Sequence, residues 1–133
     1  MTLARAFLIF NGIVFGSYGV LCLFDPATVT EFTDMQLPTI TATIEARAMY
    51  GGLQLTMGLF LLYCARQAML VSQGLMVAIF IFAGLAGARA FGLAIDGGDS
   101  NYNIAATAYE SVCGVIAVFL LKKHNQSVTT AET

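Results

Sequence analysis

The chain has 133 residues, of which 58% are hydrophobic and 11% are charged, and its formal net charge is -2. A soluble domain usually contains about 25% charged residues, so this composition excludes a water-soluble globule and predicts a small membrane protein with one domain. The negative charge, with basic residues clustered only near the C-terminal end, gives no support for nucleic-acid binding.

Four apolar segments are long enough to cross a bilayer, which takes about 20 helical residues. They cover approximately residues 5–24, 44–64, 69–93 and 104–121. Because the runs are continuous and lack period-two alternation, they exclude a transmembrane β-barrel and require helices. The sequence predicts an all-α bundle of four transmembrane helices arranged as antiparallel hairpins. This single domain is expected over residues 1–124, followed by a disordered tail over 125–133.

The basic residues predict the orientation of the bundle. The basic residues lie at the N-terminus (Arg5), in the second connection (Arg66) and at the C-terminus (Lys122, Lys123 and His124). An even number of helices places these positions on one side of the membrane. The positive-inside rule makes that side cytoplasmic, so both termini are expected in the cytoplasm.

The connection between the first two segments is the longest, and it predicts a short helix. Asp25-Pro26 is typical of a helix start, with an N-cap acceptor followed by proline. Val29, Phe32 and Met35 then recur at helical spacing up to about residue 38. We expect this helix either to lie on the membrane surface or to cover a cavity that opens outward.

Small and polar residues share one face of the second segment. At about 100° per residue, Arg47, Gly51, Gln54 and Gly58 fall within a stripe roughly 60° wide. Such a stripe is expected to face protein or a cavity rather than lipid. Glu45 lies on the opposite face in the predicted first turn, where a carboxylate interacts favourably with the helix dipole.

Glycines predict close helix contacts in two other segments. Gly12, Gly16 and Gly19 follow one side of the first helix, and a Gly-x-x-x-Gly spacing permits close packing within the bundle or between protomers. Gly84 and Gly87 form a second small patch on the third helix.

Glu110 is the deepest acid of the sequence, about 9 Å below the predicted start of the fourth helix. An ionisable group inside a membrane segment is a functional-site hypothesis by default. Arg47 and Arg89 are its candidate partners in the same outward layer, with Glu45 or Asp96 nearby. The candidate ligand-binding residues are Arg47, Tyr50, Gln54, Arg89, Glu110, Tyr18, Tyr109, Asp96 and Glu45. The alternative is a structural layer of ion pairs that holds the helices together.

Familiar cofactor and metal motifs do not occur. His124 is the only histidine, the cysteines are dispersed, and no phosphate-binding loop, dinucleotide fingerprint or nucleophile elbow is present. We therefore predict neither a metal site nor a cofactor.

The sequence EARAMYGGLQLTMGLF at residues 45–60, together with Arg89, Gly92, Asp96-Gly97 and Glu110, resembles a bacterial protein family. That family consists of small four-helix integral membrane proteins and is described only as a domain of unknown function. The resemblance implies a multi-pass protein of the bacterial cytoplasmic membrane, but it supplies no reaction. It places emphasis on Glu45, Arg47, Tyr50, Gly51, Gly52, Arg89, Asp96 and Glu110.

Three functions follow from these observations. The first is a non-enzymatic bundle whose outward pocket binds a small molecule or lipid-like amphiphile, with Arg47 and Arg89 holding an acidic or carbonyl head group. The second is an accessory or assembly subunit of a larger membrane complex, or a homo-oligomer, which the small-residue faces favour. The third is a small intramembrane enzyme that uses Glu110 as acid or base, although it lacks a recognisable nucleophile, metal or cofactor motif.

Overall fold

The computed structural model describes residues 2–97 and 100–131, with side chains described as far as residue 126. Within these ranges every regular element is a helix. The elements are α1 (Leu3–Phe24), α2 (Thr28–Thr33), α3 (Ile40–Ala46), a π-helical stretch (Arg47–Leu53), α4 (Gln54–Arg66), a 3-10 turn (Ala68–Leu70), α5 (Val71–Asp96) and α6 (Asn101–Ala131).

Four helical spans are long and apolar enough to cross a membrane. They are Leu3–Phe24, Ile40–Arg66, Ala68–Asp96 and Asn101–Gln126. We call the continuous helix Ile40–Arg66, which joins α3, the π-helical stretch and α4, the second span. The predicted all-α architecture with four membrane-spanning helices is confirmed, and the chain is described below as a multi-pass membrane protein.

The second span begins earlier than the sequence analysis predicts. The Thr39 side chain accepts a hydrogen bond from the backbone N–H of Ala42 at 3.1 Å, so Thr39 is the N-cap and the helix starts at Ile40. Glu45 is consequently outside the first turn, and the predicted interaction of its carboxylate with the start of the helix dipole is wrong. The side chain is instead exposed near the surface of this end of the bundle.

The connecting helix α2 is shorter than predicted. The Asp25 side chain accepts a hydrogen bond from the N–H of Ala27 at 3.1 Å, and the helix itself begins at Thr28. It stops after Thr33 because Asp34 adopts a left-handed conformation with φ of 56°. Val29 anchors α2 to the bundle, since its side chain is 0% exposed.

The last helix continues through Ala131, so residues 125–131 are helical where the sequence analysis expects a disordered tail. Gly114 is the last glycine and no proline follows it, so the sequence contains no residue that would force the helix to stop. Residues 132 and 133, the end of the expected tail, lie outside the described residues.

Glycines bring α1 and the second span into backbone contact. A Cβ atom added to Gly58 would lie 2.7 Å from the Cα of Gly16 and from the carbonyl oxygen of Gly12. A Cβ atom on Gly51 would lie 2.8 Å from the Cα of Leu23. The Gly-x-x-x-Gly sequence of α1 therefore acts within the bundle, and we call this line of contact the glycine seam.

The two hairpins meet on an apolar core. Helix α1 packs chiefly against the second span, and α5 packs chiefly against α6. Phe82 of α5 is 1% exposed, and its ring contacts those of Phe7, Phe15 and Tyr109 at centroid distances of 6.4, 5.8 and 6.0 Å. We call the half of the bundle with the start of α1 and the end of α4 the inner half, and the half next to α2 the outer half. Apolar side chains form most of the buried interior of the inner half, whereas the buried carboxylate of Glu110 lies in the outer half.

Candidate functional site

A cavity of about 440 Å³ lies in the outer half, between the two hairpins. Its volume falls within the range of about 300–1,000 Å³ that is usual for small-molecule sites. We call it the outer cavity. Its lining consists of Val14, Phe15, Tyr18, Phe32, Tyr50, Gln54, Phe82, Leu85, Arg89, Tyr102, Ala106, Tyr109 and Glu110.

Most of the candidate site residues meet at this cavity. The predicted residues in its lining are Tyr18, Tyr50, Gln54, Arg89, Tyr109 and Glu110. They come from all four membrane spans, so the cavity exists only when both hairpins are docked. The helical positions place these residues at one depth, and the tertiary structure turns them towards one space.

Arg89 and Glu110 form a bidentate ion pair across the cavity wall. The Nη2 of Arg89 donates to Oε1 of Glu110 at 2.9 Å, and Nε donates to Oε2 at 3.2 Å. The side chains of Arg89 and Glu110 are 23% and 7% exposed. Planar fork geometry of this kind makes charge-assisted hydrogen bonds stronger than neutral ones. The pair therefore joins α5 to α6 and leaves no net charge at this wall.

Two further side chains complete the surroundings of the Arg89 guanidinium. Its Nη1 donates to the side-chain oxygen of Asn103 at 3.3 Å. The Tyr102 ring lies below the guanidinium, with 5.5 Å between the Arg89 Cζ and the ring centroid, within the distance for a cation–π interaction. Each nitrogen of the guanidinium thus has a partner within the protein.

A second polar contact fixes the floor of the cavity. The hydroxyl of Tyr109 donates to the side-chain oxygen of Asn11 at 2.8 Å. The side-chain nitrogen of Asn11 donates to the carbonyl oxygen of Phe7 at 2.9 Å, and Asn11 is 0% exposed. This arrangement links α6 to α1 and uses the only hydroxyl hydrogen of Tyr109.

Gln54 differs from these satisfied groups. Its Oε1 is buried and accepts no hydrogen bond from the described residues. An acceptor left unpaired in this way costs about 1–3 kcal/mol. Gln54 lines the outer cavity, so a rotation of its side-chain amide would present this acceptor to a hydrogen-bond donor in that space.

Arg47 does not join the outer cavity. Its Nη1 donates to the carbonyl oxygens of Leu23 and, at 3.2 Å, Phe24, which end α1. The last turn of α1 has no basic residue of its own, and its terminal carbonyls carry the negative end of the helix dipole. The predicted association of Arg47 with Arg89 and Glu110 is therefore absent, and Arg47 instead caps α1.

We expect Arg47→Met to lower the free energy of unfolding by about 1.5–3 kcal/mol, because it removes hydrogen bonds from a charged group to the end of α1. Thermal unfolding in detergent measures this loss. Arg66, which is exposed at the end of α4, provides the matched control Arg66→Met. If Arg47→Met is less stable but retains any molecule bound in the outer cavity, the result agrees with the capping role. If the variant is as stable as the wild type but loses that molecule, the result contradicts it.

Glu45 and Asp96 also lie outside the outer cavity. Glu45 lines a neighbouring space of about 500 Å³ below the connection that follows α2, together with Met35. Asp96 lies at the end of α5 beside a shallow pocket of about 230 Å³ that includes Arg89. Among the described residues, Arg89 forms an ion pair with Glu110 and none with Asp96.

The candidate residues predicted from the sequence omit Tyr102, which lines the cavity, and Asn11 and Asn103, which form hydrogen bonds with the lining residues Tyr109 and Arg89. The sequence analysis starts the fourth helix at residue 104, whereas α6 begins at Asn101, so Tyr102 and Asn103 belong to its first turn. Their spacing of eight and seven residues from Glu110 is the signal that could have found them, because such positions share a helix face.

Among the residues with described side chains, no group of three His, Cys, Asp or Glu could hold a metal ion.

Comparison with protein families finds a match over residues 3–121 to the family described as Domain of unknown function (DUF4345).

The chain belongs to this family. The resemblance noted from the sequence is thereby confirmed. The comparisons with curated proteins and with solved structures found no match. Membership in the family carries no activity with it, so the functional argument depends on the outer cavity.

Proposed function

We propose that this chain is a non-enzymatic membrane protein that binds a small amphiphile in the outer cavity. The observation that carries the proposal is the cavity itself, which collects side chains from every membrane span and contains an unpaired acceptor on Gln54. A mostly apolar lining with a few oriented polar groups is characteristic of small-molecule sites. We place the protein in the bacterial cytoplasmic membrane, with the outer half facing away from the cytoplasm.

A purely structural layer would not need this space. The Arg89–Glu110 pair could join α5 to α6 without any cavity beside it. The described residues also line spaces of about 450 and 500 Å³, so volume alone does not distinguish the outer cavity. What distinguishes it is that polar side chains from all four membrane spans converge there.

The alternatives have weaker support. Both carboxylate oxygens of Glu110 accept hydrogen bonds from Arg89, an arrangement that opposes proton transfer by this group during catalysis. An accessory-subunit role would use the face of α5 around Gly84 and Gly87, where an added Cβ atom would meet nothing within 4 Å. That open face shows where a partner could pack but does not indicate which one.

The test is to fill the cavity without touching its polar groups. Ala106 lines the cavity, while Ala105 is exposed on α6 and does not line it. We expect Ala106→Phe to remove a co-purifying small-molecule adduct, detected by native mass spectrometry of protein released from gentle detergent. The matched control, Ala105→Phe, adds the same ring one residue away and is expected to retain the adduct.

The same experiment can refute the proposal. A wild-type protein without any adduct when it is extracted from its native membrane would contradict amphiphile binding. An adduct of equal occupancy in Ala106→Phe and Ala105→Phe would show that the bound molecule lies outside the cavity. Circular dichroism of both variants verifies that their helix content is unchanged.

A further inference from the structure

We infer that the ligand of the outer cavity carries an uncharged, planar ring with a hydrogen-bond donor as its head group. This inference rests on the proposed function and specifies its ligand class. It replaces the acidic or carbonyl head group that the arginines of the sequence suggest.

The charges of the cavity exclude an ionic head group. Arg89 and Glu110 are the only charged residues in the lining, and they neutralise each other. Three of the five N–H donors of Arg89 are used by Glu110 and Asn103, so an anion would meet only two N–H groups of a guanidinium whose charge Glu110 already neutralises. Arg47, the second arginine that could hold an anion, is bound to the end of α1. A buried ion without a partner is unfavourable, so the site selects a neutral molecule.

The shape and composition of the lining favour a flat ring. Aromatic side chains surround most of the space, namely Phe15, Tyr18, Phe32, Tyr50, Phe82, Tyr102 and Tyr109. Aromatic rings associate through offset and edge-to-face contacts, which offer a planar ligand more favourable geometry than a flexible chain. Such contacts already occur inside the protein, where Phe82 and Tyr109 meet at an interplanar angle of 85°.

Gln54 indicates which hydrogen-bonding group the ring of the ligand carries. Its unpaired Oε1 can accept a hydrogen bond but cannot donate one. The hydroxyl of Tyr109, which lies in the same cavity, already donates to Asn11. A ligand that brings a hydroxyl or N–H group to Gln54 therefore satisfies an acceptor that the protein leaves unpaired.

The opening of the cavity allows the ligand to carry an apolar tail. Val14 of α1 and Phe32 of α2 belong to the lining, and they are 36% and 53% exposed. Both are apolar, and Val14 lies within a membrane span. A tail attached to the ring can leave the cavity past these residues and enter the lipid, so the complete ligand is an amphiphile.

Three probes that differ only in the head group test this inference. They are para-hexylphenol, which is neutral and donates a hydrogen bond, para-hexylanisole, which is neutral without a donor, and para-hexylbenzoate, which is an anion. Binding to the full chain in lipid nanodiscs is measured by calorimetry, with empty nanodiscs subtracted. We expect the phenol to bind, the anisole to bind about tenfold more weakly through the lost hydrogen bond, and the benzoate to remain at background.

Gln54→Leu provides the diagnostic variant. We expect it to reduce phenol affinity much more than anisole affinity, because it removes the Oε1 acceptor that only the phenol can use, whereas the Nε2–H donors that are lost with it can serve the oxygen of either probe. Gln73→Leu makes the same substitution at an exposed position of α5 in the inner half and is expected to preserve the difference between the two probes. If the ratio of phenol affinity to anisole affinity is the same in Gln54→Leu as in the wild type, the phenol does not donate a hydrogen bond to Gln54, and the inference is overturned.

The remaining outcomes separate this inference from the proposed function. Benzoate binding that exceeds phenol binding and is lost in Ala106→Phe would overturn the neutral head group but retain the cavity as a binding site. Absence of binding for all three probes would also overturn the inference. The proposed function would then stand or fall on the adduct observed in the native protein.

Discussion

Arg89→Met and Glu110→Met are each expected to lower the free energy of unfolding by about 3–5 kcal/mol, the usual cost of leaving one charge of a buried pair uncompensated. Arg89 and Glu110 lie inside apolar membrane spans, and the Glu110 side chain is 7% exposed. Each single substitution therefore leaves its partner with little access to water. We expect this effect to exceed that of Arg47→Met.

The double variant Arg89→Met/Glu110→Met provides the decisive comparison. Replacing both charges removes the cost of dehydrating them, so we expect the double variant to be more stable than either single variant. Reversible unfolding in mixed micelles, followed by circular dichroism, gives the four free energies of a double-mutant cycle. Glu45→Met, at an exposed carboxylate, is the control and should change stability by less than about 0.5 kcal/mol. Additive effects of Arg89→Met and Glu110→Met would show that the two groups are not energetically coupled.

Gly58→Leu is expected to prevent normal docking of α1 on the second span. A Cβ atom at Gly58 would lie 2.7 Å from the backbone of both Gly12 and Gly16, and backbone cannot move aside as a flexible side chain can. Overpacking of a core by extra methylenes costs about 1–3 kcal/mol, and we expect a loss at or above the upper end of that range. The proportion of monodisperse, helical protein after detergent extraction and its thermal midpoint measure the effect.

Gly84→Leu is the matched control for the glycine seam. A Cβ atom at Gly84 meets nothing within 4 Å, so the same substitution should preserve the thermal midpoint. Equal destabilisation by Gly58→Leu and Gly84→Leu would contradict the backbone contact of the seam. It would indicate instead that leucine disturbs any glycine of this bundle, independent of its position.

The sequence was sufficient to predict the membrane spans, because hydrophobic length alone determines which segments can cross a bilayer. The start of the second span was missed because Thr39 stands in a polar connection, where its capping hydrogen bond leaves no hydropathy signal. The polar composition of residues 125–131 predicts a tail, whereas α6 continues through Ala131, because polar residues without glycine or proline can extend a helix.

The candidate site was predictable in its depth but only partly in its contacts. Helical periodicity predicts an inward position for Gln54 and Glu110, and both residues line the outer cavity in the structure. It could not show that Arg47 reaches the end of α1, because a long side chain selects its partner through tertiary structure. The π-helical stretch Arg47–Leu53 adds a further reason. Its wider turns alter the register between Arg47 and Gln54, so a regular α-helical projection places them incorrectly on one face.

The division of the bundle into two hairpins has a consequence for its assembly. The glycine seam joins consecutive spans, and the Arg89–Glu110 pair joins the next two, so each hairpin is held by contacts between neighbours in the chain. Local contacts of this kind form early, because they close short loops at low entropic cost. The outer cavity is then the last feature to appear during biogenesis, when the finished hairpins associate. The proposed ligand, which would contact both hairpins, would therefore stabilise their association by mass action.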